Sequence, residues 1–283
     1  MINHLIESTG EPIHLLSLGA GVQSSTLALM AAVGEVTPMP LAAIFADTQA
    51  EPPSVYRWLD WLEARLPFPV YRVTAGNLET FAKELHISKK GKRYTTTAIP
   101  YFTLSANGKV GRIMHRTCTR DFKIVPIMKK ARELGGIKRG QKEVGVVQWI
   151  GISMDEITRC RPAREPWGKS RWPLIEQRMT RRKCLIWMQE HGYPAPPRSA
   201  CVFCPFHSVA EWRRLRDEEP VQFERAVQFE RAVQVGTAET CNFASTPFLH
   251  RSCVPLNTVD LRTDAEHGQL SLWQDECEGM CGV

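Results

Sequence analysis

The chain contains no run of eighteen apolar residues, so no segment is expected to cross a membrane as a helix. Its opening stretch, MINHLIESTGEPIHLL, lacks a basic region followed by a long apolar core. No secretory signal is expected there, and the protein is read as cytoplasmic with no membrane partner. Neither Gly-x-x-x-x-Gly-Lys-Ser/Thr nor Gly-x-Gly-x-x-Gly occurs, which argues against a Walker A loop and a dinucleotide fold. A second Cys-x-x-Cys is also missing, so a four-cysteine zinc site of two such pairs is excluded. Strong charge is lacking too: 36 Lys and Arg against 30 Asp and Glu leave a net +6. That mild excess suits an anionic substrate better than it argues for nucleic acid.

What is present fills 283 residues, enough for one large domain or one domain with an appended segment. Hydrophobic residues make up 43%, which allows a substantial core. Basic residues gather at Lys89, Lys90, Lys92 and Arg93, and again at Arg178, Arg181, Arg182 and Lys183, as solvated surface or as contacts to a phosphate-rich partner. There are nine cysteines, an odd number that disfavours a disulfide framework in a reducing compartment. Clustered cysteines are then better read as metal ligands or reactive thiols.

The first half alternates strand-like and helix-like stretches. Ile13–Ser17 reads as a buried strand, Leu41–Phe45 and Val144–Ile152 as further apolar runs, and Val70–Val73 as a third short strand. Ser24–Val33 and Ser54–Arg65 read as helices, the second with Val55, Trp58, Leu59 and Leu62 at helical spacing. This pattern predicts an α/β fold, a parallel twisted sheet with helices on both faces. Residues 1–179 are assigned to a nucleotide-binding domain. Residues 180–283 are assigned to a helical segment packed on it that carries a Cys-x-x-Cys and a cysteine-bearing tail. Within it, Val209–Val235 includes the six-residue duplication VQFERAVQFERAV, read as a local duplication in a helix. Trp58, Trp61, Trp149 and Trp187 are read as packing residues, and Cys184, Cys241 and Cys253 as structural.

In such sheets, ligands bind beyond the carboxyl ends of the strands. Four stretches should therefore converge on one crevice: 17–21, Asp47-Thr48, 74–77 and 151–159. In LLSLGAGVQSSTLALM, the strand ends in small residues and a helix follows. Small residues admit the close approach of phosphate to backbone N–H groups, and a helix start carries partial positive charge. Ser17, Gly19, Ala20, Gly21, Gln23, Ser24 and Ser25 are the candidates, or the stretch is only a tight turn. Asp47 and Thr48 at a strand end, with Gly151 and Arg159 in the later loop, complete the nucleotide set. Asp155 and Glu156 are candidates for Mg2+ beside phosphates. Cys201-Val-Phe-Cys204 brings two thiols within reach of one metal or cluster, and zinc, iron–sulfur and redox-pair readings all stand on spacing alone. Cys118 and His207 are candidates to complete it.

The loop GVQSSTL resembles the PP-loop of the adenine-nucleotide α-hydrolase-like superfamily, with Gln23 and Ser24 departing from its Ser-Gly-Gly-x-Asp-Ser form. The stretch HRTCTRDFKIVPI resembles the Cys-Cys-x-x-Arg-Lys-Val-x-Pro-Leu segment of the phosphoadenosine phosphosulfate (PAPS/APS) reductase family. Cys118 matches the first cysteine, and Thr119 replaces the second. FADTQAEPPSVYRWL, GISMDEITRCR (with Ser153 for an arginine), the stretch from Trp172 to Pro194, the Cys-x-x-Cys and the DECEGMCGV tail follow the same family order.

The resemblance implies sulfur chemistry on a bound adenine nucleotide, either a sulfonucleotide or ATP with Mg2+. It implies a [4Fe-4S] cluster, or alternatively Zn2+, on Cys118, Cys201 and Cys204, and a catalytic cysteine in the tail at Cys277 or Cys281. The expected reaction is reduction of a sulfonucleotide to sulfite with a thiol reductant such as thioredoxin. An alternative is ATP-dependent thiolation of tRNA or DNA with a cysteine desulfurase as sulfur donor. A further alternative is a noncatalytic nucleotide or iron–sulfur sensor.

Overall fold

The structure, a computed structural model, describes residues 11–96, 98–113, 117–240, 245–262 and 266. Its centre is a five-stranded sheet in the order β3-β2-β1-β8-β9, all pairs parallel. The strands are β1 (Ile13–Leu18), β2 (Ala42–Ala46), β3 (Val70–Val73), β8 (Val146–Ile150) and β9 (Gly168–Arg171). β1 lies in the middle, and successive side chains turn to opposite faces. Leu16 and Leu18 enter one core with Ala43, Phe45, Val147 and Trp149, whereas Leu15 enters another with Ala42, Ile44 and Val146. Burial on both faces explains why β2 and most of β1 and β8 read as apolar runs.

Helices cover the two faces. α1 (Val22–Ala32), α2 (Pro53–Glu63) and α6 (Arg181–Glu190) fill the first core. α1 is buried nearly all round because it lies between the sheet and α6. α2 inserts Val55, Trp58, Leu59 and Leu62, the stripe anticipated from spacing, with Pro53 at its first position. α6 places Cys184, Trp187 and Met188 in that same core, so the helix that opens the C-terminal segment is part of the wall around α1. On the opposite face, α4 (Val125–Leu134) contributes Ile127, Ala131 and Leu134. Trp58, Trp149 and Trp187 are all buried packing residues.

A third core lies at the side of the sheet. It gathers Ala98, Ile99 and Tyr101 with the Cys201–Phe203 turn and helices α7 (Val209–Glu218) and α8 (Pro220–Thr240). A three-stranded antiparallel sheet, β10-β6-β7, borders it: β6 (Tyr101–Ser105), β7 (Val110–Ile113) and β10 (Ser245–Phe248). The short helix α3 (Leu78–Lys83) leads into the hairpin β4 (Leu85–Ile87) and β5 (Arg93–Thr95). The four-residue helix α5 (Pro173–Glu176) follows β9. Neither hairpin, nor β9, carries a strong strand pattern in the sequence. Among the described residues no helix is long and apolar enough to cross a membrane.

The duplication in α8 acquires different work in each copy. Six residues turn a helix by about 600°, so equivalent positions face different ways. Phe223 is half-buried and Glu224 exposed, whereas Phe229 and Glu230 are buried. Glu230 accepts the backbone N–H of Leu249 at 2.8 Å and of Leu256 at 2.7 Å, binding the segment after β10 to the helix. Removing the carboxylate leaves two buried donors unpaired, about 1–3 kcal/mol for each. Glu230→Ala is therefore expected to lower the urea midpoint clearly, with Glu224→Ala close to wild type. Equal midpoints for the two variants would contradict this account.

Candidate functional site

The split between β1 and β8, where the chain leaves in opposite directions along the sheet, opens a crevice at the carboxyl edge. On one side, the loop after β1 runs from Gly19 to Gly21 into α1. Ala20 sits in the left-handed region at φ 55°, which lets the chain turn sharply into the helix. The Ser24 hydroxyl braces this turn: it accepts from the Gly19 N–H at 3.1 Å and donates to the Gly21 carbonyl at 3.4 Å. No side chain caps the N-terminus of α1, and its first turn holds no acidic residue. Its first-turn N–H groups and its positive end are thus available to an anion.

On the other side, Gly151 follows β8. A Cβ there would lie 2.9 Å from both the backbone N and Cα of Ser24, so glycine is required for the two loops to touch. The third wall is the segment before the Cys-x-x-Cys, where Ser199 lies in van der Waals range of Gly21. Gly19, Gly21, Ser24, Gly151 and Ser199 are thereby brought together.

Other members of the predicted nucleotide set are already engaged within the protein. The Ser17 hydroxyl accepts from Gln148 Nε2 at 2.6 Å, and that of Ser25 from Trp58 Nε1 at 2.9 Å. These two serines support the loop from below. Gln23 is half-buried at the start of α1. Asp47 Oδ1 accepts from Tyr56 Oη at 2.7 Å and from the Gln49 N–H at 2.8 Å, shaping the turn after β2. Arg159 pairs with Glu156 in the short helix Met154–Arg159 after β8. Asp155 accepts from Ser153 Oγ and from the Arg181 N–H, which joins this loop to the start of α6. Both carboxylates proposed for Mg2+ are thus engaged with protein donors.

Three further residues belong to the crevice that the sequence reading left outside the nucleotide and metal sets. Glu51, 2% exposed, accepts from Ser199 Oγ at 3.3 Å and pairs with Lys123 Nζ at 3.5 Å. Burial raises the Glu51 carboxyl above the usual range, and the Lys123 ammonium opposes the rise. A polar chain thus runs from Ser199, which lies beside the loop at Gly21, through Glu51 to Lys123. Lys123 and Cys118 share one π-helical segment, Cys118–Ile124. The signal was present: Glu51 lies four residues after Asp47, and Ser199 lies two before Cys201.

The cysteine turn is held firmly. The Val202 N–H bonds the Ala50 carbonyl at 2.7 Å, Phe203 stacks on Phe229 at 4.0 Å, and Thr48 Oγ1 lies 3.3 Å from Cys201 Sγ. Burial, then the Glu51 charge, pushes the Cys201 thiol up to about 12, so at neutral pH it is protonated. Cys118 is near enough to add to that rise. Cys118 and Cys204 pack against the core that holds Cys201. Three thiols are suitable donors for zinc or an iron–sulfur cluster. Yet among the described residues no three His, Cys, Asp or Glu side chains converge in a metal-holding arrangement. His207, the other candidate ligand, turns Nε2 to the Cys201 carbonyl at 3.0 Å and packs edge-on against Trp212. Cys184 and Cys253 are buried, as structural residues should be. Cys241, Cys277 and Cys281 lie outside the described residues.

Gly151→Ala is expected to destabilise the protein by about 1–3 kcal/mol, the range for overpacking a tight contact. A urea titration with an unchanged midpoint would refute the close approach of the two loops. Burial holds the His207 ring down to about 3 from its ordinary 6.5. Between these values the unfolded chain binds a proton that the folded chain excludes, so stability is lost as pH falls below 6.5. His207→Gln should shrink the loss of stability between pH 7 and pH 4.5; equal losses in variant and wild type would contradict this.

No family model and no curated protein matches the chain. Among solved structures, it is similar to the phosphoadenylyl-sulfate (PAPS) reductase of Candida auris in its phosphate complex, at 14% identity and a TM-score of 0.41, over 69% of this chain and 87% of that chain.

Proposed function

We propose that this protein is an enzyme of sulfur chemistry on an adenine nucleotide, and that its reaction is the thiol-dependent reduction of a sulfonucleotide to sulfite. The observation that carries the reading is the polar chain Ser199–Glu51–Lys123, which starts beside an uncapped phosphate-type loop at Gly21 and ends in the Cys118 segment. The first-turn N–H groups of α1 hold the phosphate of the nucleotide, and the Lys123 ammonium faces the sulfonate. Glu51 and Ser199 keep that ammonium in place.

The reacting thiolate belongs to the tail, Cys277 or Cys281. It attacks the sulfonate sulfur, the bond from that sulfur to the phosphate oxygen breaks, and the nucleotide leaves carrying the electron pair. The cysteine then bears an S-sulfonate. A second thiol attacks the cysteine sulfur, sulfite departs with the bonding pair, and a disulfide remains for a dithiol reductant such as thioredoxin. Two thiols are oxidised while the sulfur is reduced by two electrons. The buried Cys201 thiol, held protonated, is unsuited to the attack. Cys118, Cys201 and Cys204 remain the set on which a [4Fe-4S] cluster or zinc would be sought, by iron and zinc analysis of anaerobically purified protein.

A second reading, ATP-dependent sulfur transfer onto nucleic acid, is favoured by the exposed basic hairpin beside this segment. Incubation with the sulfonucleotide and a dithiol decides between them. Sulfite should appear in equal amount to the released nucleotide, should fall at least 100-fold with Cys277→Ser or Cys281→Ser, and about tenfold or more with Lys123→Ala. Absence of sulfite, with nucleic-acid-dependent pyrophosphate release from ATP instead, would replace the first reading by the second.

A further inference from the structure

The β4–β5 hairpin has a use that the crevice does not require. Its base is fixed on α8: Leu85 and Thr95 are cross-strand partners facing the helix, at a point where Gly236 has no side chain to hold them off. A Cβ on Gly236 would lie 3.2 Å from Thr95 Cγ2. The turn closes tightly, with the Ser88 N–H bonded to the Lys92 carbonyl at 2.9 Å and Gly91 at φ 74°. Beyond this base the hairpin stands in solvent.

Two features coincide on it. One is charge. Lys89, Lys90, Lys92 and Arg93 are all exposed, and among the described residues none of the four makes an ion pair with a carboxylate. The nearby Glu79, which could have offset them, is already shared between Lys83 and Arg225. The other is a row of rings. His86 and Tyr94 are cross-strand partners on the face away from α8, with ring centroids 5.5 Å apart. Phe81 follows at 4.9 Å from His86, and Phe122 at 5.3 Å from Phe81. Tyr94 is 38% and Phe81 37% exposed, so the row is open at its outer end, whereas Phe122 is buried.

A solvated charge run needs no aromatic row, and a packing cluster would not leave its rings in water. Cations clustered at a hairpin turn beside stackable rings are the combination that holds a single-stranded polyanion with exposed bases. The row also has a direction. Phe122 lies in the segment of Cys118 and Lys123, and Ala98, four residues beyond Tyr94, accepts the Cys118 N–H at 2.8 Å. Four residues span at most about 14 Å. A strand lying on the hairpin therefore ends beside the crevice.

We propose that the β4–β5 hairpin is a docking surface for single-stranded nucleic acid, with Lys89, Lys90, Lys92 and Arg93 on the phosphates and Tyr94 and His86 stacking on bases. The surface holds whichever sulfur reaction the crevice performs, so its failure and that of the reductase reading are separate results.

The test is fluorescence anisotropy of the full chain with labelled 20-nucleotide single strands, RNA in one arm and DNA in the other, over a range of salt. Parallel arms use the duplex and vesicles of phosphatidylserine and phosphatidylcholine. Binding of either single strand is expected, tighter than the duplex, and each phosphate contact adds about 0.7 to the slope of log affinity against log salt. Replacing the four cations by Gln should reduce that slope by about 2–3 and weaken binding at least tenfold. Tyr94→Ala should weaken binding about tenfold, with a far smaller change in slope. Lys89→Gln with Lys90→Gln, at the turn and clear of the rings, keeps the test valid if the larger variant fails to fold. The proposal is overturned by no binding of single strands at low salt, by binding that none of these variants alters, or by binding of anionic vesicles without binding of nucleic acid. Equal affinity for duplex and single strand, insensitive to Tyr94→Ala, would equally reject it.

Discussion

The site depends on one close approach, that of Gly151 to the first turn of α1. β1 and β8 are paired neighbours whose following chains diverge at the carboxyl edge of the sheet, and any side chain larger than hydrogen at residue 151 would push those chains apart. With glycine there, the end of β8 lies against Ser24. Ser24 in turn is the residue whose hydroxyl closes the Gly19–Gly21 loop on itself. The helix start and the shape of the loop in front of it are therefore set by a packing contact from a neighbouring strand. The supporting serines follow the same logic: Ser17 and Ser25 spend their hydroxyls on Gln148 and Trp58, tying the loop to β8 and α2.

From this contact the charge arrangement follows. Ser199 fits against Gly21 and donates to Glu51, and Glu51, cut off from water, holds Lys123. A carboxylate in that position is costly to bury alone, and the ammonium and hydroxyl offset the cost. The same negative charge works against ionisation of Cys201. One residue thus fixes a cation at the crevice and adds to the burial that keeps the neighbouring thiol protonated, which separates an anion-binding side from a quiescent sulfur side within a few residues.

Much of the sheet was legible in the sequence because both of its faces are buried. Ala42–Ala46 is buried throughout, and Ile13–Leu18 and Val146–Ile150 are predominantly apolar, whereas Val70–Val73 is a short, partly exposed strand that still reads as β-branched. The four-position stripe of α2 was equally clear. β9, with the sequence GKSR, was not legible, because an edge strand of charged residues has no apolar signature. The hairpins were missed for a related reason: their strands are three to five residues long and their positions are set by α8 and by Gly236. In the site, spacing identified the loop and the cysteine turn. It did not show that Glu51 and Ser199, each next to a candidate motif but 148 positions apart, meet through tertiary packing. Nor could it reveal that Arg159 is already paired with Glu156, since that depends on the short helix that brings the two together.

The third core shows how a six-residue duplication alters architecture by turning the same residue types to different faces of one helix. Because six residues do not complete a whole number of helical turns, duplicating VQFERA did not extend one face of α8 but presented the same residue types on two faces. Phe229 reached the Cys-x-x-Cys turn, where it stacks on Phe203, and Glu230 reached the chain after β10. Arg225, from the first copy, faces α3 and shares Glu79 with Lys83. The helix consequently anchors the cysteine turn at one place and supports the basic hairpin at another. The two features most relevant to chemistry outside the sheet are thus carried on a single rigid rod, and the distance between hairpin and cysteine turn is fixed by the helix rather than by a loop.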